Sequence, residues 1–377
     1  MKKRERVLKT LELEGEPDMC PINYLGFETT GTAYQHFINS DEIDEYVTII
    51  PEAGDITQQR FLNVDCYSFT PFSSVFNPPA LPSPEDKHPG TILGFTGKLK
   101  KQGRNERTGL SYGWYYGPYF TSEEIIRDVW ARYGKPSSHI KESSYDKAFW
   151  SKVVDALEPY FYPMPSLAIA MHEALFEGCG AAALAKFARK SPGLLHEIMS
   201  EYTKVNLAAI RQLTDAGVDV IFYYDDLGQK ERSILSPKAF REFILPYYKQ
   251  LYDAAHRGGA LIVQHSCGYI DQFLPDMVDA GLNCIQALEP AAGVNLEALK
   301  EQLGDKVAFM GGMDSTRTFC FGTPQDVADD VKKCIKAAGK GGGYIAGPSH
   351  NIMDVPWENL LMLRAALEKY RRYPFSF

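Results

Sequence analysis

Residues 218–228 read Val218-Asp219-Val220-Ile221-Phe222-Tyr223-Tyr224-Asp225-Asp226-Leu227-Gly228, an apolar and β-branched run that stops at two carboxylates and a glycine. Residues 261–268 repeat the plan, with Leu261-Ile262-Val263-Gln264 running into His265-Ser266-Cys267-Gly268. Short runs of this kind, bounded by turn residues, suit strands buried on both faces. Three more follow. Cys284–Ala287 leads into Leu288-Glu289-Pro290, Val307–Met310 into Gly311-Gly312-Met313-Asp314, and Gly343–Ala346 into Gly347-Pro348-Ser349-His350-Asn351. Between the strands lie helical patterns such as Ser236–His256, Thr323–Ala338 and Pro356–Tyr370; Ser236-Pro237 and Thr323-Pro324 place a capping residue before a proline, a usual helix start.

Alternation of strand and helix builds a parallel sheet covered by helices. Working towards the N-terminus, Pro165–Met171, Val64–Phe69 and Pro21–Leu25 are further strands and bring the number to eight. Eight tilted parallel strands close into a filled barrel. The expected fold class is therefore α/β, a (β/α)8 TIM barrel formed as one domain over residues 1–377. One stretch, at about 72–120, breaks the rhythm with Asn77-Pro78-Pro79, Leu81-Pro82-Ser83-Pro84 and the aromatic series Trp114-Tyr115-Tyr116. It reads as an inserted loop or hairpin over the C-terminal face of the barrel, and insertions of that length tend to carry function.

Composition narrows the class. With 377 residues, 45% hydrophobic and 23% charged, the chain has ample core material. A formal charge of −8 argues against a broad nucleic-acid surface, which needs clustered cations. The one basic cluster, Lys98 to Arg107, is short and reads as a solvated loop. Seven scattered cysteines with no CxxC pair suggest neither a disulfide framework nor a zinc ribbon, and no apolar run approaches the ~20 residues of a membrane span. A cytoplasmic setting with no membrane partner is expected.

Strand ends at the C-terminal face of such a barrel are where active sites lie. His265 and Cys267 are two apart and so share one side of an extended chain, where imidazole and thiolate suit zinc with an open coordination position. A buried cysteine packed beside a hydrogen-bonded histidine is the alternative for that pair. Asp225, Asp226, Glu289, Asp314 and His350 ring the same face, and any one of them alone can equally cap the helix that follows. His172-Glu173, after Pro165–Met171, can join the rim, although a carboxylate there also suits a helix N-terminus. Phe222, Tyr223, Tyr224 and Trp114 can line a pocket for a flat ligand, with aromatic core packing as the default.

In this order, Asp225-Asp226-Leu227-Gly228, His265-Ser266-Cys267-Gly268, Leu288-Glu289-Pro290, Gly311-Gly312-Met313-Asp314 and Gly347-Pro348-Ser349-His350-Asn351-Ile352 resemble the uroporphyrinogen decarboxylase superfamily, as does the opening from Arg6-Val7-Leu8 to Glu16-Pro17-Asp18. That superfamily holds both the haem-pathway decarboxylase and zinc-dependent corrinoid methyltransferases. The decarboxylase carries an arginine-containing stretch after its first strand, whereas this chain has Tyr24-Leu25-Gly26-Phe27-Glu28-Thr29-Thr30, with no cation to neutralise a polyanion. The resemblance is therefore closer to the methyltransferase branch.

That branch implies zinc held by His265 and Cys267, with a further cysteine near the last strand. Here the corresponding residues are Ser349-His350. Glu289 is the expected third ligand, with Asp225, Asp226 and His350 as substitutes. The reaction implied is transfer of a methyl group from a small methylated substrate, by preference an aryl methyl ether, to corrinoid (cobalamin) carried by a partner protein. In it Asp225, Asp226, Glu289 and Asp314 take catalytic roles, and Tyr223, Tyr224, Trp114 and His350 bind substrate. The alternative is a metal-independent, decarboxylase-like lyase acting on a small carboxylic acid.

Overall fold

The apolar runs become strands that pair in parallel. The computed structural model describes residues 1–40, 48–50, 55–69, 75–104, 106, 109, 111–141 and 146–377. In chain order the strands are β1 Cys66–Phe69, β2 Thr91–Leu93, β3 Lys98–Arg104, β4 Ser111–Pro118, β5 Tyr162–Pro165, β6 Val220–Tyr224, β7 Gly228–Gln229, β8 Arg232–Ser233, β9 Leu261–Ser266, β10 Cys284–Ala287, β11 Ala308–Met313 and β12 Tyr344–Pro348. One parallel sheet runs β6-β9-β10-β11-β12 and a second pairs β1 with β5. Residues 21–23 join the two on one side: Asn23 N–H donates to the Ala346 carbonyl and Asp65 N–H to the Ile22 carbonyl (2.9 and 2.8 Å). On the other side Ser166 bridges Phe222. With segment 21–23, the described residues thus form a ring of eight parallel members.

The seam between β5 and β6 has a covalent cause. Tyr162 N–H faces β1, where it donates to the Asp65 carbonyl, and Leu167 N–H faces β6, where it donates to the Phe222 carbonyl. Positions 163 and 165, which by alternation face β6, are both proline and have no N–H to give. The ladder is interrupted there. This also corrects the expected strand at Pro165–Met171: it lies earlier, at Tyr162–Pro165, and Met171 already begins the helix Met171–Lys190. The pattern Ser236–His256 is likewise split into helices Pro237–Phe243 and Leu245–Arg257, with Pro246 in the first turn of the second. Thr323 does cap Pro324–Ala338, in a reciprocal capping box with Asp326.

Inside the ring, Cys66, Tyr162, Met164, Val220, Phe222, Val263, Cys284, Ala308, Met310 and Ile345 form one buried cluster, closed at the N-terminal end by Val7 and Leu11 of the helix Lys3–Leu11. Beside that plug lies a buried ionic knot. The Asp65 carboxylate pairs with Arg6 and with Arg371 Nη1 (2.7 Å) and also accepts from Ile22 N–H (2.8 Å), while Arg6 grips Asp18 through Nε and Nη2 at 2.7 and 2.8 Å. The N-terminal helix, the first two barrel segments and the chain after the last helix are thereby fastened together.

In the insertion β2, β3 and β4 form an antiparallel sheet; Phe72, Arg107 and Leu110, which belong to the stretch expected to form it, lie outside the described residues. The sheet rests on the helix Met171–Lys190: Phe120 N–H donates to the Gly178 carbonyl (2.8 Å), and Lys98 pairs with Glu177. No described helix is long and apolar enough to cross a membrane.

Removing the Asp65 carboxylate leaves the buried Arg371 guanidinium without its short ion pair and Arg6 with Asp18 alone. Asp65→Ala is expected to cost ~3–5 kcal/mol, read as a lower urea midpoint at unchanged m-value.

Candidate active site at the barrel mouth

Register sets the site. Tyr224 pairs with His265, and His265 with Gln286, so three adjacent strands present their last inward side chains at one level. Alternation carried on from the interior residues Phe222 and Val263 turns Tyr224, Asp226, His265 and Cys267 inward, and Tyr223 and Asp225 outward. A cavity of about 350 Å³ opens there, lined by Leu25, Glu173, Tyr224, Asp226, His265, Cys267, His350 and Asn351.

Two glycines bring the Asp226 and Cys267 loops together. A Cβ on Gly228 would stand 2.5 Å from Tyr269 N, and one on Gly268, whose φ is +78°, would stand 2.3 Å from Gly228 C. Only two bare backbones can cross this closely. The crossing lets Cys267 N–H donate to Asp226 Oδ1 (2.8 Å) and Leu227 N–H to Ser266 Oγ (2.9 Å).

The donor atoms of His265, Cys267 and His350 all lie within 4.8 Å of one another. His265 Nε2 is 3.1 Å from Cys267 Sγ and 3.4 Å from Asp226 Oδ1, and its Nδ1 meets Gln286 Oε1. An amide oxygen can only accept, so Nδ1 carries a hydrogen and Nε2 faces the cluster, where it holds a second proton towards Asp226 and Cys267 that a bound metal ion would displace, the ring being steadied from behind as in histidine metal ligands. Burial opposes charge on His265, but Asp226 and Cys267 outweigh it and hold its pKa well above the usual value. Burial likewise opposes charge on Asp226, yet His265 and the Cys267 contacts bring it down to about 2. Burial, then His265, lowers His350. Burial, against the pull of His265, raises the Cys267 thiol, which a bound metal would deprotonate; that sulfur, two imidazoles and a fixed carboxylate in reach form a donor set that fits zinc.

The other expected site residues stand elsewhere. Glu289, expected as third ligand, is replaced in the cluster by His350. Positive φ at Ala287 (102°) and Leu288 (56°) turns the chain so that Glu289 Oε2 accepts from Gly268 N–H at 3.3 Å. Asp225, expected to be catalytic, is fully buried and accepts from Tyr223 Oη, Tyr248 Oη, His172 N and Glu173 N, all within 2.7–2.9 Å. Tyr223 is spent on that carboxylate and on Met171 N–H. Asp314 caps its own turn, holding Thr316 and Arg317, and Trp114 sits exposed on β4 beside Tyr112. None of these five lines the cavity. Asp226, Tyr224, His265, Cys267 and His350 do.

Sequence reasoning undervalued Glu173. It stands in the first turn of Met171–Lys190, on the cavity wall, and burial together with Asp226, Glu177 and Asp225 pushes its carboxyl up to about 7 against the opposing pull of Lys98. Its neighbour in sequence, His172, gave the cue: a polar pair directly after a strand, one member of which faces the rim.

A barrel with a buried polar cluster at the C-terminal mouth is enzyme architecture. Residues 170–370, more than half of the chain, match the family model described as "Uroporphyrinogen decarboxylase (URO-D)", and the chain belongs to that family. It is 29% identical over 186 residues to a uroporphyrinogen decarboxylase of Pelodictyon phaeoclathratiforme, covering 47% of this chain and 50% of that one. A second, from Chlorobium limicola, is 28% identical over 197 residues, covering 50% and 53%. The chain thus spans about half the length of the curated relatives it matches. Its fold is shared with a methyltransferase from Methanosarcina mazei, at 15% identity and a TM-score of 0.64 over 98% of both chains.

Because Glu173 binds its proton more tightly folded than unfolded, its contribution to stability is complete below its ordinary value of 4.5 and is lost as pH rises through about 7. Glu173→Gln is therefore expected to melt progressively higher than wild type between about pH 5 and pH 8, as measured by calorimetry across that range.

Proposed function

We propose that the chain is one barrel domain that acts as the methyltransferase component of an O-demethylating system, moving the methyl group of a small aryl methyl ether to a corrinoid on a partner protein. The observation that carries this reading is the convergence of His265, Cys267 and His350 donor atoms within 4.8 Å in a cavity also walled by Tyr224. The absence of lysine and arginine from the described cavity lining supports it against a polycarboxylate substrate, since Glu173 and Asp226 would repel carboxylates rather than bind them.

When bound, zinc supplies Lewis acidity to the oxygen that bears the methyl group. His265, Cys267 and His350 would hold it, and Gln286 fixes the His265 tautomer. Tyr224, its ring 5.5 Å from that of His265, and Leu25 offer apolar surface to an aromatic ring. As the oxygen–methyl bond breaks, the bonding pair stays on oxygen and the aryloxide needs a proton. Glu173, whose carboxyl keeps its proton to about pH 7, is placed on the same wall to give it. Asp226, held as the anion, orients Cys267 through its amide.

Protein purified without chelator should contain about one zinc per chain, by analogy with three-ligand catalytic sites. Cys267→Ser and His350→Ala should lose it, Glu289→Gln should retain it, and Gln286→Ala should weaken it by ~10–100-fold. Wild type should demethylate a methoxyarene in the presence of a Co(I) corrinoid protein. Zinc-free wild type, or full zinc in His350→Ala, would sink the proposed centre.

A further inference from the structure

A second cavity, of about 230 Å³, lies outside the barrel between the helices Met171–Lys190, Pro192–Asp215 and Pro237–Phe243. Leu175, Leu184, Leu195, Leu235, Phe243 and Ile244 give it apolar walls. It reaches solvent past Ala181 and Ala185, which are exposed. An apolar cavity of ~150 Å³ is enough to take up benzene, so this one has room for a single substituted ring.

One titratable side chain stands among its described lining residues, His172. The residue is fully buried, with its ring stacked near that of Phe176 at 6.3 Å. Its Nδ1 is 2.6 Å from the Asp226 carbonyl oxygen, an atom that can only accept, so Nδ1 bears the hydrogen. Nε2 is then a lone-pair acceptor, and it has no partner among the described residues. Burial lowers the pKa of the ring, ahead of the opposing pull of Asp225 and Asp226. A buried acceptor left without a donor is unfavourable and uncommon. On the wall of an apolar cavity it calls for a ligand that is apolar except for one donor.

We propose that this cavity is a binding site for a small phenol or comparable apolar alcohol, whose ring fills the apolar walls and whose hydroxyl donates to His172 Nε2, the Phe176 ring stacked beside His172 turning aside to open that atom, which otherwise has almost no solvent-accessible surface. The site is separate from the mouth cavity but adjoins it. His172 N–H donates to Asp225 Oδ2 (2.9 Å), its ring holds the Asp226 carbonyl, and the next residue, Glu173, lines the mouth. An occupant hydrogen-bonded to His172 therefore sits one residue from the candidate centre. The inference rests on His172 and the cavity alone and does not depend on zinc or methyl transfer.

Phenol and toluene, alike in size but differing in the donor, are the probes, with dissociation constants from ligand-detected NMR. Wild type is expected to bind phenol about tenfold more tightly than toluene, the difference one hydrogen bond makes. His172→Phe should abolish that preference, and Ala239→Phe, which fills the cavity from the helix Pro237–Phe243, should remove the His172-dependent binding, leaving at most phenol held at the mouth. Cys267→Ser, which alters the mouth, should leave the His172-dependent preference for phenol over toluene in place, so failure of the zinc reading and failure of this one are told apart. Equal binding of phenol and toluene by wild type, or phenol binding that survives Ala239→Phe but not Cys267→Ser, would overturn the proposal. Should Ala239→Phe not fold, a crystal of wild type soaked in phenol decides: density beside His172 supports the site, and density only between His265 and His350 overturns it.

Discussion

Everything at the barrel mouth hangs on the buried carboxylate of Asp225. Without partners it would be an expensive charge in an apolar setting, and burial raises its pKa. Instead it draws in two backbone amides from the first turn of Met171–Lys190 and two tyrosine hydroxyls, one from its own strand and one from Leu245–Arg257. Negative charge at a helix N-terminus is favoured by the helix dipole as well as by the amides themselves. One outward side chain thus locks the end of β6, the start of one helix and the flank of another. Its neighbours on either side in sequence, Tyr224 and Asp226, and its tenants, His172 and Glu173, are placed as a result. A residue with no face on the cavity fixes where four others stand.

The two ends of the barrel divide their work by the same physics. At the N-terminal end Asp65 is shared by Arg6 and Arg371, and Arg6 also holds Asp18, with little exposure of the two arginines; of the guanidinium and carboxylate atoms in this fastening only Arg371 Nε is buried without a hydrogen bond among the described residues. At the C-terminal end the polar atoms are only partly matched. His265, Cys267 and His350 bring three metal-binding atoms together with a single short contact between two of them, and Glu173 keeps a carboxyl in a setting that discourages its charge. Unfinished pairing of buried polar groups marks a place where something else completes it.

Much of this is legible in the order of the amino acids. Strands with apolar residues at successive positions announce themselves, and so do helices whose starts carry Ser236-Pro237 or Thr323-Pro324. The strand Tyr162–Pro165 hides because two of its four residues are proline, a residue that argues against a central strand; only its place at a seam with no ladder makes it tolerable. Within the site, His265 and Cys267 are readable from their spacing. The choice between Asp225 and Asp226 is readable too, from alternation counted forward from Phe222, since His265 and Cys267 stand on the inward parity of the neighbouring strand. His350 over Glu289 is not. That outcome depends on two residues with positive φ after β10, and neither Ala287 nor Leu288 is a type that advertises such a turn.

The place of His350 ties the site to closure of the ring. It follows β12, three ladders away from β9, which carries His265, so the two imidazoles meet only because the sheet curves round on itself. β12 is held in that curve by the Ala346 exchange with residues 21–23, and residue 22 is held in turn by Asp65. The ionic knot at the N-terminal end and the donor cluster at the mouth therefore lie along one connected path: Asp65 anchors the first segment, the first segment anchors the last strand, and the last strand delivers His350. A donor supplied from that strand senses closure in a way that Glu289, one strand from His265, would not. A histidine at this place, where the resemblance implies a cysteine, changes the donor atom without altering this dependence, because it is the strand, and not the residue type, that crosses the mouth.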